Sequence, residues 1–378
     1  MLCHQFFPFK DTSMEESPRQ KRLKTRENRS ALQPEQDSQP PDHVQSEVVI
    51  ESSEISRADT FSTCLTSTYT QSTQYEINSL GMFSVDFFRS NAKMMNYYTG
   101  FVDFAQFMLF YQCLGPCVNE LCHQGSLLDP RDQLFMVLMK LRQAKEDVEL
   151  SLFFKVSEST VSRIVVTWIN FLYFQLKELD IWPSKEIIKE YMPSDFHRKF
   201  PNTRVILDAT ELPIQKPSDV NAQSATWSSY KHKNTLKAMI GCTPRGVVSF
   251  VSDAYGGSAS DRQIIENSSL LNESVFDKGD SIMADRGIMV QDLFATNDVY
   301  VNTPTMLKGK SQLDPEEVVH DRRVASKRIH IERIIGLSKG FKILKKELPQ
   351  SKLQLGSRIV FVCFAISNFR NCIVDKYA

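Results

Sequence analysis

Three acidic residues stand where a carboxylate could do chemistry. Asp208 follows the apolar run of "RVILDAT", Asp285 follows that of "SIMADRG", and Glu332 lies within "SKRIHIERIIGLSK". Neighbouring carboxylates repel one another unless they share a proton or a cation. A hard divalent cation, Mg²⁺ or Mn²⁺, is the expected partner for such oxygen ligands. Two such ions can activate a water or a 3′-hydroxyl and stabilise the leaving oxygen of a phosphodiester.

Two cations accompany the third acid along its predicted helix. Arg328, Glu332 and Lys339 are spaced four and seven residues apart and share one helical face, whereas Ile331 and Ile334 point toward a core. A surface row of ion pairs would have the same spacing. If Glu332 binds a metal, Arg328 and Lys339 are instead positioned to hold DNA phosphates.

Two further sites have two interpretations each. Asp261, in "GGSASDRQI", either caps the helix that follows or assists metal binding. "YKHKN" carries Lys231 and Lys233 in a short basic turn, which is either a solvated surface feature or a phosphate contact.

The elements that carry these residues follow a recognisable order. The runs "RVILDAT", "TLKAMIGCTPRG" and "VVSFVSDAYGG" predict an antiparallel meander. The helical stretch "DRQIIENSSLL" leads to a fourth strand, "SIMADRG", and a later helix, "VASKRIHIERIIGLSKGFKIL", follows before two more helical segments. This is the order of an α/β, ribonuclease H-like domain, predicted over 200–378. In that fold the ends of the first and fourth strands lie side by side, so Asp208 and Asp285 would be adjacent and the helix would present Glu332.

The preceding region, 95–180, is predicted to be all helix. Asp129 and Pro130 begin one helix, "EDVELSLFFKV" predicts a second, and Ser157 caps a third. Helix, tight turn and polar helix start are typical of a helix-turn-helix, although an ordinary three-helix bundle has the same pattern. The helix-turn-helix interpretation predicts that the third helix contacts DNA near its N-terminal end through Ser159, Thr160, Ser162 and Arg163.

Residues 1–80 are rich in Ser, Gln, Thr, Glu and Pro, and they predict a disordered tail. Within this tail, "PRQKRLKTR" (18–26) has five basic residues in nine. Such a run is typical of a nuclear localisation signal or of a non-specific phosphate contact, and we expect the protein in the nucleus.

Composition excludes some classes of protein and leaves others open. Lys plus Arg and Asp plus Glu both number 45 in 378 residues, so net charge does not indicate a polyanionic partner. Without an apolar run of about 18 residues or a leader pattern, we expect neither a membrane span nor secretion. The eight cysteines predict free, buried thiols rather than disulfides. Zinc binding is the alternative interpretation for the tightest cluster, which consists of Cys113, Cys117, Cys122 and His123.

From about Tyr97 to the C-terminus the chain resembles a Harbinger-type (PIF/Harbinger superfamily) transposase, a helix-turn-helix followed by a DDE endonuclease. The resemblance rests on "LDATELPIQKPSD", "SATWSSYKHKNTLKAMIGCTPRGVVSFVSDAYGGSASDRQI", "MADRG" and "RIHIERIIGLSKGFKIL", the last fitting an R-x3-E-x6-K signature. It implies Asp208, Asp285 and Glu332 as catalytic metal ligands, with Asp261 grouped among the ligands. The sequence departs from the pattern at Ala325, where a tyrosine is common, and "MLCHQFFPFK" has no zinc-finger spacing.

The resemblance implies a nuclease that acts on double-stranded DNA with Mg²⁺ or Mn²⁺ and needs no small-molecule cofactor. It is also compatible with a homodimer. Two rival interpretations remain. The first is a domesticated DNA-binding or adaptor protein that needs no catalysis. The second is a hydrolase of small phosphoesters. This interpretation explains the three acids but assigns no function to the helix-turn-helix.

Overall fold

The computed structural model of the chain describes residues 83–121, 128–307, 309, 312–370 and 373–374. The predicted tail (1–80), its basic run (18–26), Cys122 and His123 lie outside the described residues. Every residue that the sequence nominates for the active site is described, and so is every residue nominated for DNA contact outside the basic run.

The first part of the described chain is helical, as the apolar spacing predicts. The α-helices are α1 (Ala92–Thr99), α2 (Phe104–Cys113), α3 (Pro130–Gln143), α4 (Asp147–Phe154), α5 (Glu158–Lys177), α6 (Lys185–Glu190) and α7 (Ser194–Lys199), with 3₁₀ turns at Val85–Phe88 and Pro116–Leu121. Asp129 caps α3 by accepting a hydrogen bond from the backbone N–H of Arg131. The predicted capping of α5 is confirmed, because the Ser157 hydroxyl accepts from the N–H of Thr160.

Helices α3, α4 and α5 pack into one bundle. Lys155, in the left-handed region with φ of 51°, ends α4 and lets the chain turn sharply into α5. The Trp168 indole N–H donates to the Gln133 side-chain oxygen over 3.0 Å inside this bundle. The helices bury a continuous apolar set that includes Phe135, Leu138, Leu150, Phe154, Val161, Ile164 and Leu172.

A mixed sheet follows the helices. Its strands are β1 (Thr203–Pro213), β2 (Trp227–Ser228), β3 (Lys233–Cys242), β4 (Val248–Val251), β5 (Tyr255–Gly256), β6 (Ser281–Met283) and β7 (Tyr300–Asn302). The spatial order is β2-β3-β1-β6-β7, with β4 and β5 also paired to β3. β3 runs antiparallel to β1 and β4, whereas β6 runs parallel to β1 and β7. The predicted meander and the adjacency of the first and fourth predicted strands are therefore confirmed.

The remaining helices are α8 (Val220–Thr226), α9 (Asp261–Glu266), α10 (Gln291–Ala295), α11 (Pro315–Ser338) and α12 (Gly356–Ser367), with 3₁₀ turns at Ser269–Leu271, Lys342–Leu344 and Gln350–Leu355. The sequence predicts two helical segments after α11. Among the residues that the structure describes after α11, α12 is the one α-helix, and the other segments are short 3₁₀ turns.

Alternate residues of β1 pack against different helices. Ile206 and Leu212 join the cluster that includes Ile331 and Ile334 of α11, and we call this side the α11 face. Val205 joins the cluster that includes residues of α9 and α10, on the side that we call the α9 face. The cluster on the α11 face continues without a break into α3, α4, α5 and α12. The helical bundle and the sheet therefore share one core.

The length of β1 differs from the prediction. The apolar run stops at Asp208, which predicts a strand end there, but β1 continues to Pro213. The cause is β3, whose residues pair with β1 from Ile206 to Pro213 and supply backbone partners beyond the apolar run. The shorter β6 stops pairing with β1 at Ile206, so Asp208 lies beyond the end of β6 rather than at the end of its own strand.

Two expectations from composition concern the membrane and the cysteines. No described helix has both the length and the apolar character needed to cross a membrane. Cys113, Cys117, Cys242 and Cys363 are free thiols. Cys242 and Cys363 are buried as predicted, but Cys117 is exposed because it lies in a short 3₁₀ turn at the surface.

A buried ion pair joins the starts of β1 and β6. Asp280, which is fully buried, lies 3.1 Å from Arg204 Nε and 2.6 Å from Lys185 Nζ. Arg204 is itself only 5% exposed, and its guanidinium lies over the Trp182 ring. Removal of one partner from a buried pair leaves an uncompensated charge in a poorly solvated place.

We expect Asp280→Asn to lower the free energy of unfolding by about 3–5 kcal/mol, because Arg204 then stays buried without its counter-charge. Urea denaturation measures this change. Lys278→Ala is the matched control, since Lys278 is 87% exposed and pairs with Asp298 at 3.6 Å at the surface. Its loss should cost less than about 1 kcal/mol. Equal stability of the two variants would contradict a role for the buried pair.

Candidate active site

The register of β1 and β6 brings two of the predicted acids together. The last paired residues of these parallel strands are Ile206 and Met283. Asp208 follows Ile206 by two residues on β1 and so lies on the same face as Ile206. Asp285 lies two residues past the end of β6 and forms an ion pair of 2.8 Å with Arg328 of α11. Ile206 and Met283 both pack on the α11 face. The register therefore places both acids at one level on the α11 face, beyond the end of β6.

Helix α11 presents the third acid to the same face. Asp314 and Glu317 form a capping box at its start, and Val324, Ile331 and Ile334 bury its inner side. Glu332 follows Ile331 directly and is exposed to solvent. The helix contacts both β1 and β3, so its exposed flank borders the ends of these strands.

Asp208 feels the charges of both other acids. Burial raises the pKa of Asp208 to about 6, and the negative charges of Asp285 and Glu332 add to this rise. The Arg328 guanidinium and the backbone N–H of Ala209, which donates to Asp208 over 2.9 Å, oppose it. Asp208 is therefore a half-buried acid that lacks enough positive charge nearby to ionise at its usual pH.

Arg328 is the cation closest to this group of acids. Its guanidinium forms an ion pair of 2.8 Å with Asp285, and its side chain is 12% exposed. The buried Nε of Arg328 has no hydrogen-bond partner among the described residues. Arg328 thus carries a charge and a free N–H at the edge of the carboxylate group, where a further anionic oxygen could bind.

Lys339, the C-cap of α11, lies at the other end of the site. Burial lowers the pKa of Lys339 and the charge of Lys231 lowers it further, whereas Glu211 and Asp208 oppose this shift. The R-x3-E-x6-K spacing of α11 thus places Arg328 and Lys339 on either side of Glu332. Asp208 interacts electrostatically with both cations.

Asp261 lies elsewhere. The cap of α9 is Ser260, whose hydroxyl accepts from the N–H of Gln263, so Asp261 is the first helical residue rather than the cap. Asp261 Oδ1 lies 2.8 Å from Lys237 Nζ, and α9 packs its apolar residues on the α9 face. The structure therefore groups Asp261 with Lys237 on the side of the sheet opposite Asp208 and Asp285.

Lys237 and Glu211 are two charged residues near this face that the sequence alone does not single out. The two residues are cross-strand partners on β3 and β1, and Thr235 donates to the Glu211 carboxylate over 2.9 Å. Opposite charges directly across an antiparallel pair are a detectable signal, but only once the register of the two strands is known.

The carboxylates of Asp208, Asp285 and Glu332 can be compared with the ligands that a divalent cation requires. Among the residues that the structure describes, no group of three or more His, Cys, Asp or Glu side chains is gathered closely enough to hold a metal ion. The three carboxylates nevertheless offer only oxygen donors, and the raised pKa of Asp208 indicates a deficit of positive charge. The residues present fit a hard divalent cation if Asp285 releases its ion pair with Arg328 and binds the cation instead.

The predicted DNA-contact residues lie at the start of α5. Ser159 and Arg163 are exposed, and the Arg163 guanidinium lies 3.4 Å from the Thr160 hydroxyl. Ser162 instead accepts a hydrogen bond of 2.7 Å from Lys352, which follows α11 in the chain. Ser162 thus joins the helical bundle to the C-terminal part, whereas Ser159 and Arg163 remain exposed near the start of α5.

Lys231 lies in the turn before β3, Lys233 is the first residue of that strand, and both are exposed. The Lys231 ammonium lies 4.5 Å from the centre of the Tyr230 ring. This contact and the effect of Lys231 on the pKa of Lys339 place the basic turn near the Lys339 end of the site.

We expect Asp208→Asn to stabilise the metal-free protein at pH 8 by about 2–3 kcal/mol, since each unit of pKa shift corresponds to about 1.4 kcal/mol. The folded-state pKa of Asp208, about 6, lies above its ordinary value, so ionisation costs stability as pH rises from about 4 to 6. The cost is fully present above pH 6 and absent below pH 4. Thermal denaturation in EDTA across this range measures it.

Glu273→Gln is the control for this prediction, because Glu273 is an exposed acid on the loop before β6. It should leave the pH dependence of stability unchanged. An Asp208→Asn protein that is less stable than the wild type at pH 8 would show that the site does not strain Asp208.

Comparisons with known proteins agree with this layout. Residues 207–368 match the family model described as DDE superfamily endonuclease, and residues 126–178 match the model described as helix-turn-helix of DDE superfamily endonuclease. The second match favours the helix-turn-helix interpretation over an ordinary three-helix bundle. No curated protein and no solved structure matches the chain. Residues 207–368 are therefore similar to a DDE superfamily endonuclease domain, and the helices before them are similar to the helix-turn-helix of that superfamily.

Proposed function

We propose that this protein is a metal-dependent DNA endonuclease of the Harbinger type that cuts phosphodiester bonds at the ends of a DNA element and joins the freed 3′ end to a target. The observation that supports the proposal is that the charges of Asp285 and Glu332 both act on the half-buried Asp208. The register of β1 and β6 puts Asp285 at the end of the strand beside Asp208, and Glu332 lies on the exposed side of α11, which packs against β1. Carboxylates in such proximity favour a site built for cations.

In this proposal Asp208, Asp285 and Glu332 are the catalytic ligands of Mg²⁺ or Mn²⁺, and Asp261, which pairs with Lys237 on the other side of the sheet, is not among them. When bound, the divalent cation would activate the attacking oxygen and stabilise the leaving one. The protein itself holds the carboxylates on a rigid strand pair and a capped helix. This support fixes their geometry before the substrate arrives.

Arg328 and Lys339 position the DNA phosphate. The buried Nε of Arg328 is free to donate to a phosphate oxygen, and its ion pair with Asp285 keeps the guanidinium at the edge of the site. Lys339 and the exposed Lys231 and Lys233 extend the positive surface along the strand ends. The cations thus form a path for the DNA backbone on either side of Glu332.

DNA recognition is assigned to the start of α5. In a helix-turn-helix the second helix enters the major groove with its N-terminal residues toward the bases. Ser159, Thr160 and Arg163 have that position here, whereas Ser162 holds Lys352. The proposal also includes the nucleus as the location and allows a homodimer as the assembly.

The competing proposal is a domesticated DNA-binding or adaptor protein. It also relies on the helix-turn-helix match, and it requires no cation at the acids. The three intact acids favour the enzyme, because a half-buried, strained carboxylate such as Asp208 costs stability and needs a function to retain it. Cleavage assays separate the two proposals.

We expect the full-length protein to nick plasmid DNA with Mn²⁺ or Mg²⁺ and to lose this activity in EDTA. Asp208→Asn, Asp285→Asn and Glu332→Gln should each reduce cleavage at least 100-fold, because each removes a charge that offsets the metal. Glu316→Gln, at an exposed acid in the first turn of the same α11 helix, is the matched control and should keep full activity.

Two results would count against the enzyme. Metal-independent nicking, or nicking that persists in all three acid variants, would assign the activity to a contaminant or to another site. DNA binding with no cleavage under any metal condition would support the adaptor.

We expect Arg163→Ala to weaken duplex DNA binding about fivefold or more at moderate salt, and to reduce the slope of log affinity against log salt by about one if Arg163 contacts a phosphate. Fluorescence anisotropy in EDTA measures both quantities without cleavage. Lys189→Ala, at an exposed lysine of the neighbouring helix α6, is the control for loss of one positive charge. Unchanged affinity in the Arg163 variant would place the DNA contact elsewhere.

A further inference from the structure

Two arginines from distant parts of the chain lie together where the helical bundle meets the C-terminal part. Arg142 is the last residue but one of α3, and Arg370 follows α12. Both guanidinium groups lie over the ring of Phe341, a buried residue that follows α11, at 5.8 Å and 5.1 Å from the ring centre. We call Arg142 and Arg370 the arginine pair. Neither residue belongs to the candidate active site or to the predicted DNA contacts.

Two glycines make room for the arginine pair. A Cβ atom on Gly100 would lie 2.3 Å from Arg370 Nη2 and 3.5 Å from Arg142 Cδ, so both side chains pass the same point. A Cβ atom on Gly340 would lie 2.4 Å from Arg142 Nη1. Gly100 also has a φ of 87°, in the left-handed region that other residues rarely adopt. The backbone therefore packs directly against both arginines and holds them side by side.

The arginine pair has no acidic partner among the described residues. Nη1 of Arg142 and both Nε and Nη2 of Arg370 are buried without a hydrogen-bond acceptor. Burial lowers the pKa of Arg370 to about 10, the charge of Arg142 lowers it further, and the Cys363 thiol opposes the shift. Burial lowers the pKa of Arg142 as well. No carboxylate of the described chain contributes to either shift.

Two buried guanidinium groups side by side are unfavourable, because they lose contact with water and their like charges repel. The Phe341 ring offsets part of this cost, since its face attracts a cation. A ring does not supply the acceptor oxygens that the free N–H groups lack. An anion with several oxygen atoms would neutralise both charges and accept hydrogen bonds from both groups. The arginine pair therefore has the chemistry of an oxyanion site.

The guanidinium groups favour a phosphate over a halide ion. Each planar fork presents N–H donors that match two oxygen atoms of a phosphate. Arg142 and Arg370 are only partly covered, so a dissolved ion reaches the nitrogen atoms that the fold leaves accessible. Lys342 adds positive charge nearby, because its ammonium bonds over 2.6 Å to Gln143, the residue after Arg142. A phosphate carries more charge and more acceptor oxygens than a carboxylate, which suits a site with several cations.

We propose that the arginine pair is a binding site for a phosphate group, which would hold the end of α3 to the segments that follow α11 and α12. The site would join Arg142, in the region similar to the helix-turn-helix, to Phe341, in the region similar to the endonuclease domain. It uses none of the three carboxylates and requires no cleavage of DNA, so it goes beyond the proposed function. Two sources supply such a group, inorganic phosphate in solution and the backbone of bound DNA.

Calorimetry and thermal denaturation of the full-length protein in EDTA test the site with inorganic phosphate. Isothermal titration of the wild type should give one site and its Kd. Phosphate at about ten times this Kd should raise the Tm by about 2–4 °C over sodium chloride of equal ionic strength at pH 7. Arg142→Gln and Arg370→Gln should each lose this rise. Arg322→Gln, at an exposed arginine of α11, is the matched control and should keep it.

Arg370→Lys keeps the test decisive if a glutamine variant does not fold. Lysine retains the positive charge but has no planar fork, so this variant should bind phosphate about tenfold more weakly than the wild type. Unchanged phosphate affinity in a folded Arg370→Lys protein would overturn the proposal.

Binding of duplex DNA in EDTA identifies the source of the phosphate. If Arg370→Gln weakens duplex binding, and inorganic phosphate displaces DNA better than chloride of equal ionic strength does, the arginine pair holds the DNA backbone. If duplex affinity is unchanged in a variant that has lost the response to phosphate, the site takes a free phosphate. If the protein binds no DNA, the proposed function fails, and the response to inorganic phosphate still decides this proposal.

Two further results would overturn the proposal. The first is an equal rise in Tm in the wild type and in both glutamine variants, which would be the general effect of phosphate on folded proteins. The second is a wild type that binds no phosphate. If Asp375→Asn then gains phosphate binding, the arginine pair is occupied by a carboxylate of the chain itself. Asp375 is the acid nearest to Arg370 in the sequence and lies outside the described residues.

Discussion

The parallel pairing of β1 with β6 is the constraint on which the candidate site depends. These strands come from segments about eighty residues apart, and their shared register ends at Ile206 and Met283. Asp208 and Asp285 reach the same level only because this register holds. The buried pair of Arg204 with Asp280 joins the opposite ends of the same two strands. A one-residue slip would send one of the two acids to the other face of the sheet.

The fold holds Asp208 in an environment that disfavours its ionised form. Asp208 is half-buried next to two further acids, and its raised pKa expresses the resulting cost. Arg328 relieves part of the cost through its ion pair with Asp285, in the position that a divalent cation would compete for. The shared core of the helical bundle, the sheet and α12 supplies the rigidity that keeps these charges together. Stability elsewhere therefore sustains an arrangement that is unfavourable by itself.

Much of this arrangement is predictable from the sequence, because it rests on local signals. The apolar runs that precede Asp208 and Asp285 mark buried strands, the spacing of Ile331 and Ile334 marks the inner side of α11, and Ser157 marks the start of α5. Each signal lies within a few residues of the element that it predicts.

The features that the sequence did not predict depend on contacts between distant segments. The extension of β1 to Pro213 requires the pairing with β3, and the contact of Ser162 with Lys352 joins residues nearly two hundred positions apart. The grouping of Asp261 with Lys237 depends on the side of the sheet against which α9 packs. Such choices are made by tertiary packing, which periodicity along the chain does not encode.

The proposed function requires Asp208, Asp285 and Glu332 to share a divalent cation. Iron-directed cleavage of the polypeptide tests this requirement most sharply, because Fe²⁺ bound in a magnesium site reduces added hydrogen peroxide to hydroxyl radicals that cut the nearby backbone, and ascorbate returns the Fe³⁺ to Fe²⁺. We expect three cuts, near residues 208, 285 and 332, all suppressed by excess Mg²⁺ and absent in Asp208→Asn. Cuts at only one of these segments, or cuts that Mg²⁺ does not suppress, would contradict a shared metal site.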